Sequence, residues 1–218
     1  MKCPSCNRRK GKRPCPALRK DICAQCCGEK RVLEIQCPSD CSFLEAGVEH
    51  EARRVYSALF ESLEDRVLGA RLLANMEALL PLIKEIEFFL GGYYFSMRSA
   101  NDRDVQEALE VVLENYRTES RGIIYQHPSS NPFLQSIVRK LTAEIESVRE
   151  ATRKEMHSLP VSAIVSALEF QSELIRFLVE TSSDHRAYLK FAVRQFPGAY
   201  GEEREKGSGD PGIILAGR

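Results

Sequence analysis

CPSCNRRKGKRPCPALRKDICAQCCGEKRVLEIQCPSDC, residues 3–41, holds all eight cysteines of a 218-residue chain, and none occurs in the 177 residues that follow. Cys3 and Cys6, like Cys23 and Cys26, leave two residues between their thiols. That spacing lets both sulfurs of a pair turn toward one ion at Zn–S distances of about 2.3 Å. Cys15, Cys27, Cys37 and Cys41 supply four more thiols, so the block can make two four-sulfur sites and take about two zinc ions. Their order suggests an interleaved pattern, with Cys3, Cys6, Cys23 and Cys26 on one ion and Cys15, Cys27, Cys37 and Cys41 on the other. An exchange of roles between Cys26 and Cys27, or a place for His50 among the ligands, stays open. Asn7 and Gly28 follow the thiol pairs closely, where a metal knuckle often needs a residue that tolerates positive φ.

About 40 residues with few large apolar side chains bury too little surface to fold alone, whereas structural zinc contributes roughly 10–16 kcal/mol in finger peptides. The metal is expected to be the core of this segment. Disulfides are the first alternative; they suit an oxidising compartment, and residues 1–6, MKCPSC, carry no apolar stretch of a secretory signal. An iron–sulfur cluster also accepts four cysteines, but two paired knuckles and eight ligands suit zinc better. A catalytic zinc keeps an open position and usually recruits His or Glu, and no histidine precedes His50. The expectation is a cytoplasmic chain with reduced thiols and structural zinc.

Charge is divided unevenly. Residues 1–41 carry ten Lys and Arg against four acids, a formal +6, so the remainder carries −6 in a chain whose total is zero. Five cations, Arg8, Arg9, Lys10, Lys12 and Arg13, fall in residues 7–14 between two candidate ligands. Three readings of this loop are open. It offsets the excess negative charge of the thiolates and donates hydrogen bonds to sulfur; it tracks nucleic-acid phosphates; or it meets an acidic protein partner. Compensation is preferred, because Phe43 is the only aromatic residue before Tyr56 and nothing else there can stack on bases.

Beyond Cys41 the apolar spacing becomes helical. A helix is expected over Ser42–Ser57 and another over Phe60–Met97, disturbed at Pro81 and at Gly91 and Gly92. Asn101 caps the next, where Val105, Leu109, Val112 and Tyr116 recur at helical intervals toward Tyr125. Asn131 and Pro132 start a helix to His157 with a stripe of Leu134, Val138, Leu141, Ile145 and Val148. Pro160 opens another, with Val161, Ile164, Leu168, Ile175 and Leu178 inward, and a short last helix holds Tyr188, Phe191, Ala192 and Phe196. Strand signal is confined to Arg31–Ile35. The fold class is therefore mainly α: a cysteine-rich zinc module (residues 1–43), an antiparallel bundle of about five or six helices (44–197), and a flexible, glycine-rich charged tail (198–218). The most apolar stretch, Ala78–Phe95, contains Lys84, Glu85 and Glu87 and so predicts a buried helix and no membrane span.

The run Cys37–Leu44, following Cys23–Gly28, resembles a group of uncharacterised bacterial proteins that open with an eight-cysteine block and continue as helices. That resemblance is carried by residues 3–44 and implies no activity. The paired knuckles are also similar to cross-braced and treble-clef zinc modules, which implies a protein- or nucleic-acid-binding platform.

No dinucleotide, phosphate-loop, zinc-protease or nucleophile-elbow motif occurs, which lowers the weight of an enzyme. The best local candidate for a polar pocket is Tyr116, Glu119 and Ser120 with Tyr125 and His127, and a satisfied structural tyrosine is the preferred reading. Glu49, His50 and Glu51 read as a solvated face, and Phe88, Phe89, Tyr93, Tyr94 and Phe95 as core or helix interface. The function expected is a non-enzymatic zinc-binding adaptor or regulator with a protein partner or self-association. A nucleic-acid-binding regulator and an enzyme with an unrecognised site are the alternatives, and no small-molecule substrate is identified.

Overall fold

A computed structural model describes residues 1–63, 66–123, 131–154 and 159–200. The expectations that fall on Tyr125, His127, His157 and most of the tail lie outside these residues. The described chain is mainly helical, with a small two-stranded piece and a cysteine cluster at its N-terminus.

In the module an antiparallel hairpin joins β1 (Arg13–Cys15) to β2 (Lys20–Ile22), with Arg13 opposite Ile22 and Cys15 opposite Lys20. Gly11 is required beside it, since a Cβ there would lie 2.2 Å from the Asp21 carbonyl oxygen. A short helix follows, α1 (Ala24–Lys30), capped by the Cys23 sulfur, which accepts the Cys26 N–H. The strand expected at Arg31–Ile35 does not form; those two residues make only an isolated bridge. Val32 between them has φ 62°, a left-handed value that breaks β pairing.

The helical region contains α2 (Glu45–Ser62), α3 (Arg66–Ser96), α4 (Asp102–Ser120), α5 (Pro132–Lys154), α6 (Val161–Thr181) and α7 (Ala187–Gln195). α6 is central, packed on α4, α3, α2 and α7, while α5 lies against α4 and α3. Local chemistry explains several boundaries. The Asn101 side chain accepts the N–H groups of Arg103 and Asp104, and the Asp104 carboxylate accepts that of Asn101. This reciprocal cap satisfies donors that the first turn of α4 leaves unpaired. The Asn131 side chain accepts the Phe133 N–H ahead of Pro132. Buried Asp102 caps α7 from a distance, accepting the N–H groups of Tyr188 and Leu189.

The α4 stripe is buried as the spacing predicts, at Val105, Leu109, Val112 and Tyr116. On α5 the buried face is Leu134, Ile137, Leu141 and Ile145, with Val138 and Val148 at its margin. The largest departure is α3, which runs unbroken through Pro81 and both glycines. Pro81 is on the exposed side, where water can serve the freed carbonyl. Gly91 is demanded by packing, because a Cβ would lie 2.6 Å from the Tyr200 hydroxyl and 3.3 Å from Ala192 on α7. No described helix is long and apolar enough to cross a membrane.

Module and helices meet at a second apolar cluster. Val32, Leu44, Val193 and Tyr200 are buried together, flanked by Cys37, Cys41, Val48, Phe88, Phe95 and Phe196. Tyr200, three residues past the boundary placed after Pro197, stacks on Phe88 and donates its hydroxyl proton to the Phe88 carbonyl at 2.7 Å. Arg31 enters the same joint: its guanidinium donates to the Phe43 carbonyl at 3.1 Å, and a Cβ on Gly47 would overlap it at 1.2 Å.

Candidate metal centre

Two chain segments 20 residues apart bring four sulfurs together. Cys3 and Cys6 lie before the basic loop, Cys23 is the cap of α1, and Cys26 lies within that helix. The four Sγ atoms all lie within 4.8 Å of one another, with Cys6 and Cys23 4.0 Å apart. A tetrahedral ion with bonds of about 2.3 Å spaces its sulfurs roughly 3.8 Å apart, so this cluster could hold one. Three of the four cysteines are almost fully buried, and only Ile22 and Ile35 accompany them as buried apolar residues.

The surrounding donors are directed at sulfur. Asn7 has φ 51°, turning the chain after Cys6 as expected of a knuckle. The Cys6 thiol is lowered to about 6, chiefly by the backbone N–H groups of Arg9 and Arg8. Cys23 is also lowered, first by the Cys26 N–H and then, against desolvation, by Arg9. Burial pushes Cys26 the other way. Arg9 reaches back over the cluster, donating from Nε to Cys23 at 3.3 Å and from a terminal nitrogen to Cys26 at 3.6 Å. Gln25 accepts from Arg9 and donates to Glu29 at 2.6 Å, which fixes the guanidinium. These contacts make Arg9 the compensating cation of the basic loop. Arg13 lies over the Phe43 ring at 5.0 Å, whereas Arg8, Lys10 and Lys12 are exposed.

Cys15, Cys27, Cys37 and Cys41 are gathered less tightly. Among the described residues only the first set meets the 4.8 Å limit for every pair. Cys15, Cys27 and Cys37 nevertheless pack against one cluster and Cys37 and Cys41 against another; Cys37 is raised, first by burial and then by the neighbouring thiols. Gly28 departs from expectation: it is the fifth residue of α1 and no positive φ occurs there. His50 is exposed on α2 and does not join the sulfurs.

The other polar candidates are engaged in structure. Tyr116 donates to Glu146 at 2.7 Å, and Arg149 joins Glu146 to Glu119. Burial, then the neighbouring Glu146, raises the Tyr116 hydroxyl well above its ordinary range, unlike an activated proton donor. Glu49 pairs with Arg53, and Glu51 pairs with Arg194. The aromatic cluster divides: Tyr93 and Phe89 pack in the helical core, and Phe88 and Phe95 serve the joint.

Compared with known proteins, the chain matches no protein-family model, no curated protein and no solved structure. The site is therefore read from its own residues. Sequence reasoning found the four sulfurs from their spacing. It missed the separate duties within the basic loop, and it missed Arg31 and Tyr200. Nothing local distinguishes Arg9 from Arg8; only the fold over Gln25 and the sulfurs does.

Proposed function

We propose that the chain is a non-enzymatic, zinc-dependent adaptor or regulator of the reducing cytoplasm. The zinc module is a rigid platform, and the helical domain associates with a protein partner or a second copy. The observation that carries this reading is the cage of Cys3, Cys6, Cys23 and Cys26, with all four sulfurs within 4.8 Å. Four thiolates and no free ligand position make a closed site, which serves structure and leaves no place for substrate. Zinc is favoured over an iron–sulfur cluster because four sulfurs within 4.8 Å of one another enclose room for a single ion and not for several irons with bridging sulfides. The eight cysteines suit two ions per chain. Elemental analysis of anaerobically purified protein tests this: zinc is expected, and iron with visible absorption, or no metal, would overturn it.

A second reading, nucleic-acid binding, is favoured by one feature. With Arg9 turned to sulfur, Arg8, Lys10 and Lys12 remain exposed on a braced loop. Replacing these three with Glu should leave zinc content unchanged. If the loop tracks phosphates, it should also remove a salt-sensitive affinity for duplex DNA or RNA, with the log–log salt slope falling by about 0.7–0.9 per lost contact. Arg9→Glu should instead weaken zinc retention under either reading.

A further inference from the structure

We infer that Cys15, Cys27, Cys37 and Cys41 hold a second thiophilic divalent ion of the zinc class, and that this ion is the joint fastening the module to the helical domain. The inference rests on the reading of the first cage as a zinc site and adds a location and a task for the second ion.

Four features bring these thiols to one place. Cys27 follows Cys26 on α1, and a helix turns about 100° per residue, so the two thiols leave the helix in different directions. Cys15 ends β1 opposite Lys20, on the hairpin that Ile22 fastens to the first cluster. Cys37 and Cys41 flank a turn closed by the Cys41 N–H on the Pro38 carbonyl at 3.1 Å. Cys15, Cys27 and Cys37 pack against the first cluster and Cys37 and Cys41 against the joint cluster, so Cys37 is common to both groups.

The turn that leads to Cys37 is held in place by its surroundings. Val32 is buried, β-branched and held at φ 62°, inside a three-residue turn closed by the Leu33 N–H on the Arg31 carbonyl at 2.6 Å. Such a conformation costs on the order of 1–3 kcal/mol and persists only where the surroundings impose it. Val32 lies in the cluster against which Cys37 and Cys41 pack, so the turn is fixed beside both sulfurs.

The joint follows from what surrounds Cys37 and Cys41. Both pack in the cluster formed by Val32, Leu44, Val193 and Tyr200, and Leu44 precedes α2. Cys27 belongs to the module's helix, and its carbonyl accepts from the Arg31 side chain that lies against Gly47. An ion shared by Cys15 and Cys27 on one side and Cys37 and Cys41 on the other therefore links the two parts of the chain.

The test uses the full-length reduced chain with zinc as probe, read by native mass spectrometry and residue-level hydrogen exchange. The unmodified chain should bind two zinc ions. Cys37→Ser with Cys41→Ser should bind one and exchange at least tenfold faster at residues 44–48 and 193–200. Cys3→Ser with Cys6→Ser should also bind one but leave exchange at those residues unchanged. One ion on the unmodified chain and none on the second variant would overturn the inference while sparing the first cage; no zinc at all would bring down both. Two ions retained by the Cys37 variant, or one ion with unchanged exchange, would also overturn it. X-ray absorption on the unmodified chain keeps the inference testable if a variant does not fold. Two ions with four sulfurs each at about 2.3 Å are expected, and a mean coordination containing nitrogen or oxygen would contradict it.

Discussion

The two parts of this chain solve the same problem with different materials. In the helical region the interior is hydrocarbon: Leu109, Val112, Ile137, Leu141, Ile164, Leu168, Phe170 and Ile175 are all at or below 1% exposure. A fully buried side chain of this kind contributes on the order of 1.5–3 kcal/mol, so no single one is indispensable. In the module the first cluster has five buried residues, and three are Cys3, Cys23 and Cys26. Sulfurs brought within 4.8 Å of one another repel as thiolates unless a cation stands among them. One interior is distributed and forgiving, and the other depends on a few ligands acting together.

That contrast is broken most severely at a ligand. Cys26→Ala should remove the ion of the first cage and the order of the chain around Cys3 and Cys6, a loss of roughly 10 kcal/mol or more of metal stabilisation. Helical circular dichroism should fall only slightly. Proteolysis restricted to the N-terminal segment would report this, and loss of most helix would contradict it.

The next largest effect belongs to the helical interior and should leave zinc content untouched. Glu87 is fully buried on α3, accepting from Lys84 at 2.7 Å and from the Tyr56 hydroxyl at 2.7 Å. Lys84→Met leaves that carboxylate without its cation, which should cost about 3–5 kcal/mol. A lowered midpoint in urea with an unchanged zinc complement is the expected result.

At the joint the two regions should respond together. Gly47→Ala forces Arg31 to move and should cost about 1–3 kcal/mol. Arg31→Ala loses the bond to Phe43 but makes room. The double variant should therefore be less damaged than the sum of the singles, a coupling that a double-mutant cycle measures. Strict additivity would show that this contact carries nothing.

The most gradual effect is a pH dependence within the helical region. Burial raises the Asp102 carboxyl to about 6, despite the N–H groups of Tyr188 and Leu189, which favour its charged form. The folded chain then holds this proton more tightly than the unfolded chain does. Its contribution to stability is complete below about pH 4, is lost as pH rises toward 6, and changes little above. The slope is at most about 1.4 kcal/mol per pH unit. Thermal midpoints from pH 4 to 7 should fall less steeply in Asp102→Asn.

Sequence alone revealed the regular parts of both regions, because short-range spacing encodes them. Cys3, Cys6, Cys23 and Cys26 announce a cage, and Val105, Leu109, Val112 and Tyr116 announce a helix face. What stayed hidden depends on contacts across long stretches of chain. Pro81 and Gly91 look like breaks, yet Gly91 is the place where α7 and Tyr200 approach α3. The alternating residues Arg31–Ile35 resemble a strand until Val32 is found buried at a left-handed φ. Five adjacent cations look equivalent until Arg9 alone meets the sulfurs.

The most direct test of metal as the core of one region and hydrocarbon as the core of the other is hydrogen exchange on the reduced chain before and after chelation. The account predicts that amides of residues 1–43 lose protection, that those beside the joint at 44–48 and 193–200 loosen, and that the centres of α4, α5 and α6 keep theirs. Unchanged protection in residues 1–43, or collapse of α4–α6 together with the module, would contradict it.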